Sequence, residues 1–120
     1  QSWSAGLFIY AIDSCLFGIK ACEGNIIKIN PKLPAKWPYA ARLEKKIKGS
    51  VLDIKLLRRT RKDVDFLQID FTFKEGAKKN LIKIMRPRNE MDVINGVIKE
   101  SGKTYTIIEP EDKTVIIIKE

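Results

Sequence analysis

Val64-Asp65-Phe66-Leu67-Gln68-Ile69-Asp70-Phe71-Thr72-Phe73 decides the fold class. Leu67, Ile69, Phe71 and Phe73 fall on one side of an extended chain, with Gln68, Asp70 and Thr72 on the other. That period of two marks a strand with one buried face. A helix would spread the same side chains round its circumference.

The pattern continues in both directions. Upstream, Val51–Leu57 sets Leu52, Ile54 and Leu56 against Asp53 and Lys55, and Ala41–Lys48 sets Ala41, Leu43, Lys45 and Ile47 against charge. Asn25–Asn30 reads as a further strand, and Pro31, Pro34 and Pro38 stiffen the connection around Trp37. Gly49-Ser50 and the charged stretch Arg58–Asp63 read as turns. Downstream, Glu75-Gly76 turns the chain and Asn80–Met85 forms a strand ended by Pro87. Asn95-Gly96, set between Val93-Ile94 and Val97-Ile98, has the composition of a two-residue hairpin turn. Thr104–Ile108 and Thr114–Lys119 close the chain on either side of Pro110. About eight or nine short strands with frequent turns predict a mainly β fold, an antiparallel, jelly-roll-like β-sandwich over residues 23–120.

Residues 2–21 predict one buried N-terminal α-helix instead. Ser2 or Ser4 can cap its start, and Gly24 follows its last apolar residue. Trp3, Leu7, Phe8, Ile9, Tyr10, Ile12, Leu16, Phe17 and Ile19 make it apolar nearly all round, broken at Asp13 and Ser14. A sheet covers one face of such a helix and leaves large side chains wet on the other. Each of those is worth roughly 1.5–3 kcal/mol when buried, which is large beside a domain stability of about 5–15 kcal/mol. The helix is therefore expected to belong to a helical body lying mostly outside this chain. A helix on the sandwich, shielded by a dimer partner, is the alternative. Asp13, Ser14 and Lys20 interrupt the run, so no membrane span is expected. Residue 1 is Gln, and no basic segment leads into an apolar stretch and a cleavage site. The chain thus reads as a piece of something longer, with processing or a missing start residue explaining Gln1 equally well, and a cytoplasmic location is expected.

Composition narrows the chemistry. The 120 residues are 44% hydrophobic and 32% charged, in the range of a single globular domain. There is no His, which removes Ser-His-Asp and Cys-His triads and His metal ligands from these residues. Cys15 and Cys22 cannot alone make a four-ligand zinc site. Neither a metal nor an organic cofactor is expected, and the composition reads against a self-contained enzyme. Lys and Arg number 23 against 15 Asp and Glu, a net charge of +8. The basic residues cluster at Arg42, Lys45, Lys46 and Lys48 and again at Lys55, Arg58, Arg59, Arg61 and Lys62. Phosphate contacts need such charge, and single-strand binders add interleaved aromatics. Phe71 and Phe73 sit in an apolar strand and Phe66 beside it, and most of these read as core, so nucleic acid is the weakest of three readings. Asp65, Asp70, Glu109, Glu111 and Asp112 read as solvated surface carboxylates rather than a glycosidase pair. Ser2-Trp3-Ser4 crowds two hydroxyls and an indole at a helix start, where free N–H groups can hold an anion or a sugar hydroxyl; an ordinary cap with a core Trp is the simpler reading. Trp37 or Tyr39 could serve as a sugar-stacking platform.

The order Ser2-Trp3-Ser4-Ala5-Gly6, an apolar helix ending Leu16-Phe17-Gly18-Ile19-Lys20, then Ile29-Asn30-Pro31-Lys32-Leu33-Pro34-Ala35-Lys36-Trp37 and Lys48-Gly49-Ser50 with Ile54 beyond, resembles a known family. It is similar to the C-terminal end of the glycoside phosphorylases and hydrolases built on an (α/α)6 barrel, those of the cellobiose phosphorylase and cyclic β-1,2-glucan synthase type. The likeness covers about residues 1–56. It implies that residues 1–22 are the last helix of the barrel and residues 23–120 the β-sandwich that packs on it. It also implies a mainly structural part of an enzyme that cleaves glycosidic bonds of β-glucan-type oligosaccharides, with the catalytic acid outside this chain and no activity from the chain alone. The helical barrel of the same polypeptide and an oligosaccharide would be the partners. In the phosphorylases a hydroxyl residue near this helix start helps bind inorganic phosphate, the co-substrate, and Ser2 or Ser4 would correspond. The family often has Thr-Gly-Ser where this chain has Ser2-Trp3-Ser4, so phosphorolysis and hydrolysis both stay open.

Overall fold

The computed structural model describes residues 12–120. They form a mainly β fold in which one mixed sheet curls until it is nearly closed. The strands are β1 (Lys20–Ala21), β2 (Ile26–Ile29), β3 (Tyr39–Ile47), β4 (Ser50–Arg61), β5 (Val64–Phe73), β6 (Leu81–Ile84), β7 (Met91–Ser101) and β8 (Thr106–Lys119).

β4 and β5 follow the alternation in the sequence. Leu52, Ile54 and Leu56 of β4 and Leu67, Ile69, Phe71 and Phe73 of β5 are buried in one core with Ile27, Ile29, Ile82, Ile84, Ile108, Ile116 and Ile118. β-Branched and aromatic side chains fill this interior, as a pleated, half-buried surface favours.

The sheet runs β1-β2-β6-β8-β5-β4-β3, with β7 on β8. β8 holds it together. Its first residues pair with β6 (Ile108 opposite Ile82), its last with β5 (Ile116 opposite Ile69), and β7 pairs along it from Met91 to Ser101. All strands therefore belong to one hydrogen-bonded sheet, where the sequence suggested two antiparallel layers. One pair, β2 with β6, is parallel. The β3–β5 meander intervenes between those two strands and returns the chain running in the same direction.

Three local expectations change. Asn95-Gly96 is not a hairpin turn but lies inside β7. Asn95 takes the left-handed conformation at φ 57°, its carbonyl accepts the Thr114 hydroxyl at 2.7 Å, and the register shifts there. A bulge needs the same positive φ as a tight turn, and β8 offers β7 partners on both sides of it. Thr104–Ile108 and Thr114–Lys119 are correspondingly parts of the single strand β8, with Pro110 buried in its middle opposite Gly96. Arg58–Arg61 is not a turn either. It extends β4, Arg58 pairing with Leu67 and Thr60 with Asp65, and the reversal is the two residues Lys62-Asp63, with φ of 52° and 62°.

Half of the expected N-terminal helix, residues 2–11, lies outside the described residues. Its described end is one π-helical turn, Ile12–Phe17, stopping well before Gly24. The Phe17 carbonyl accepts from the Asn30 amide at 3.0 Å and the Leu16 carbonyl from the Lys32 amide at 2.8 Å, so the last carbonyls are taken by the chain beyond β2. Gly18 then turns left-handed at φ 58°, and β1 follows. Phe17 is fully buried in the sheet's core. Asp13 reaches the opposite edge, accepting from Arg42 Nε at 2.8 Å and Lys45 Nζ at 2.7 Å, both on β3. The turn thus ties the β2 side of the sheet to its far edge strand.

Gly18 is the tightest backbone position in this closure, since a Cβ there would collide with the Asn30 backbone carbonyl. Gly24 has a similar φ of 69° with nothing within 4 Å of such a Cβ. Gly18→Ala should therefore cost about 2–4 kcal/mol in urea unfolding, backbone strain plus a steric clash, whereas Gly24→Ala should cost about 1 kcal/mol from backbone strain alone.

Candidate functional site

Ser2, Trp3 and Ser4, the sequence-derived candidates for sugar or phosphate contact, lie outside the described residues. Trp37 and Tyr39 are described, and both are surface aromatics, 48% and 47% exposed.

Their position follows from the loop before β3. Pro31, Pro34 and Pro38 restrict φ and remove amide donors from this stretch. Its carbonyls consequently need partners, and Arg58 of β4 supplies them. One guanidinium nitrogen, Nη1, donates to the Pro34 carbonyl at 2.9 Å and the Trp37 carbonyl at 2.7 Å, and Nη2 donates to the Leu33 carbonyl at 2.9 Å. The Arg58 amide donates to the Pro38 carbonyl at 3.0 Å. Glu120 faces the same guanidinium, 3.3 Å from Nε. The planar fork of Arg satisfies several acceptors at fixed angles, which a Lys ammonium on a flexible stem does not reproduce. Leu33 is buried beneath the loop, while Lys36 at φ 71° turns the chain so that Trp37 follows at the surface. Arg58, read from sequence as one of a basic cluster, is thus a structural clamp. The sequence signal for it was the proline-rich stretch itself, a run of acceptors with few donors.

Tyr39 begins β3 opposite Leu57, on the outer face of the sheet. Leu43, 53% exposed, sits farther along β3 where the register shifts before Lys45 and Glu44 takes φ 50°. Leu43 shares the outer face with Ala41, which lies opposite Lys55, and the bulge after it turns Lys45 and Ile47 to the inner face, where simple alternation had kept all four together. Trp37, Tyr39 and Leu43 make an apolar border along this edge, while Arg42 and Lys45, which hold Asp13, lie on the inner face of β3. Half-exposed Trp and Tyr rings present an apolar face and a polar rim, suited to the C–H face of a sugar or to a protein surface.

The other candidates separate. Arg42 and Lys45 are engaged with Asp13. Asp65 accepts from Thr60 and Asp70 from Gln68. Asp112 pairs with Lys79, and Glu109 lies 4.0 Å from Lys99, both at exposed sites. Phe71 and Phe73 are core residues, whereas Phe66 is only partly buried and faces outward. Cys15 is exposed and Cys22 half-buried, both as free thiols. Among the described residues no cluster of three or more His, Cys, Asp or Glu is arranged to hold a metal ion, and no helix is long and apolar enough to cross a membrane. Near the tip of β7, the Tyr105 hydroxyl donates to Glu100 Oε2 at 2.6 Å, with Lys83 Nζ 4.6 Å from the ring centre. The hydrogen bond to Glu100, and then its negative charge, hold the Tyr105 phenol above its ordinary pKa of 10.0. Comparison with protein-family models, curated proteins and solved structures gives no match.

Removing the clamp should be costly. Arg58→Ala takes the side-chain donor from the Leu33 and Trp37 carbonyls, while Pro34 keeps the Trp37 amide, and should lower stability by about 2–4 kcal/mol. Limited proteolysis should then cut between residues 31 and 38, and Arg58→Lys should not restore protection. In a spectrophotometric titration, Glu100→Gln should lower the Tyr105 transition. The raised phenol makes its small contribution to stability below the free tyrosine value, and that contribution fades as the pH rises through the folded-state transition.

Proposed function

We propose that this chain is the C-terminal, mainly structural β portion of a carbohydrate-active enzyme that cleaves glycosidic bonds of β-glucan-type oligosaccharides by phosphorolysis or hydrolysis. The catalytic acid lies outside the chain. In this reading the helical segment that stops at Phe17 is the end of the last helix of an (α/α)6 barrel, and the curled sheet stands where the family's β-sandwich stands. Ser2, Trp3 and Ser4 then contact sugar, or inorganic phosphate as co-substrate, at the helix start.

One observation carries the reading. Trp37, Tyr39 and Leu43 expose an apolar border on the sheet edge to which the end of the helical segment is fastened through Asp13. Large side chains left uncovered on the same edge strand that holds the helical segment are what packing on a second body requires. The buried Phe17 supports it as well, because the helical segment and the sheet then share a core.

A second reading draws on the same two rings. A free-standing carbohydrate-binding module would use Trp37 and Tyr39 as a stacking platform, already held in place by the Arg58 clamp.

The test uses the native gene product carrying this chain. It is assayed for cleavage of cellobiose and longer β-glucan oligosaccharides, with and without inorganic phosphate. The enzyme reading expects cleavage. It also expects the triple change Trp37→Ser, Tyr39→Ser, Leu43→Ser to destabilise the whole protein by about 2–4 kcal/mol through lost apolar burial, with little change in KM. The platform reading expects no cleavage, a saturable change in Trp fluorescence with oligosaccharide, and weaker sugar binding in the triple variant at unchanged melting temperature. A product that neither cleaves nor binds these sugars overturns both.

A further inference from the structure

The outer face of the sheet carries a second feature, away from the clamp. A cleft of about 490 Å³ is lined by Arg59, Thr60, Arg61, Phe66, Gln68, Asp92 and Ile117. That volume lies in the range of about 300–1,000 Å³ common for small-molecule sites.

Strand register orders these residues. Arg59 lies directly across from Phe66, and Arg61 is two residues farther along β4 on the same face. Gln68 lies across from Ile117, and Ile117 across from Asp92. Phe66, Gln68 and Ile117 therefore form the floor, two guanidiniums stand on the β4 side, and a carboxylate stands on the β7 side. From β4 to β7 is three strand spacings, about 14 Å.

The polar groups on the two sides are of opposite kinds. Among the described residues neither Arg59 nor Arg61 forms an ion pair. Both bring forked donors suited to a phosphate, sulfate or carboxylate group. On the other side Gln68 spends one amide N–H on Asp70 Oδ1 at 2.8 Å, which leaves its carbonyl oxygen and a second N–H. Asp92 offers only acceptors. Acceptors there call for hydroxyl donors on the ligand, and the half-buried Phe66 and Ile117 between them call for an apolar C–H face. A ligand anionic at one end, hydroxylated at the other and apolar on one flat side is an acidic sugar. A nucleic-acid strand fits less well, because Asp92 and nearby Asp65 would repel its run of phosphates.

We propose that this cleft binds an anionic saccharide of one or two rings. Its acidic group would sit on Arg59 and Arg61, its ring on Phe66 and Ile117, and its hydroxyls on Gln68 and Asp92. The site needs no barrel and no catalytic acid, so it stands independently of the enzyme reading.

The experiment is an NMR titration of the full chain, following the Arg Nε–H signals and the amides of Phe66, Gln68 and Asp92. The probes are a glucose phosphate, glucuronate, cellobiose, inorganic phosphate and a short oligothymidylate. The proposal expects saturable shifts at the cleft with the glucose phosphate, with glucuronate, or with both, which also identifies the acidic group. It expects at least tenfold weaker binding in Arg59→Gln/Arg61→Gln and a several-fold loss in Asp92→Ala. Both arginines and Asp92 are exposed, so the variants should keep the wild-type melting temperature. Inorganic phosphate binding as tightly as the sugar phosphate would reduce the cleft to a general anion patch. Tighter, steeply salt-dependent binding of the oligothymidylate would make it a nucleic-acid surface. Either result overturns the proposal, as does the absence of saturation with every acidic sugar, or shifts confined to Trp37 and Tyr39.

Discussion

A strand has two edges, and β8 uses both. β7 occupies one side along most of its length, while β6 and β5 pair with successive parts of it. Alternate side chains Thr106, Ile108, Thr114, Ile116 and Ile118 go inward with almost no exposure. Serving neighbours in two different parts of the sheet requires β8 to change course, and the stretch Pro110 to Thr114 provides the change. Pro110 brings no amide donor and tolerates an interrupted ladder. Thr114 repairs the gap by donating to the Asn95 carbonyl and accepting from the Glu111 amide. The curl of the sheet, the enclosed core and the partition into inner and outer faces all follow from this one strand.

Closure at the far side is polar rather than apolar. Arg42 and Lys45 point from β3 toward the single carboxylate of Asp13. The two cations give this buried carboxylate its hydrogen-bond partners. The Arg58 clamp follows the same logic with carbonyls in place of a carboxylate. Arg42, Lys45 and Arg58 are thus spent on acceptors of the chain itself. The guanidiniums of Arg59 and Arg61, in contrast, face outward over a cleft, and chemistry with an external anion is most readily sought there.

The two surfaces divide the functional question. The border of Trp37, Tyr39 and Leu43 is apolar and lies along the β3 edge of the sheet. The cleft at Phe66 is polar at both ends and lies on the sheet's outer face. Tyr39, Leu57, Gln68, Ile117 and Asp92 nevertheless stand in one row across β3, β4, β5, β8 and β7.

Alternation was legible wherever one face of a strand is buried. β5 runs over the ten residues that the pattern marked, and β2, β4 and β6 overlap the stretches assigned to them, because a period of two is a local property. The positive φ at Asn95 was equally local, but whether it made a turn or a bulge depended on whether β8 lay alongside. Composition could name Arg58, Arg59 and Arg61 as basic and Phe66, Phe71 and Phe73 as aromatic. It could not say that Arg58 turns in to a proline loop while Arg59 turns out, since Arg58 continues β4 only because β5 pairs with it. The sequence by itself determined that β2, β4, β5 and β6 are strands and which side chains of β4 and β5 are buried, because local sterics and hydrophobic periodicity decide both. Only the tertiary structure decided which strands meet, that one pair runs parallel, and which charges are consumed internally and which are left for a ligand, because those outcomes rest on contacts between residues far apart in the chain.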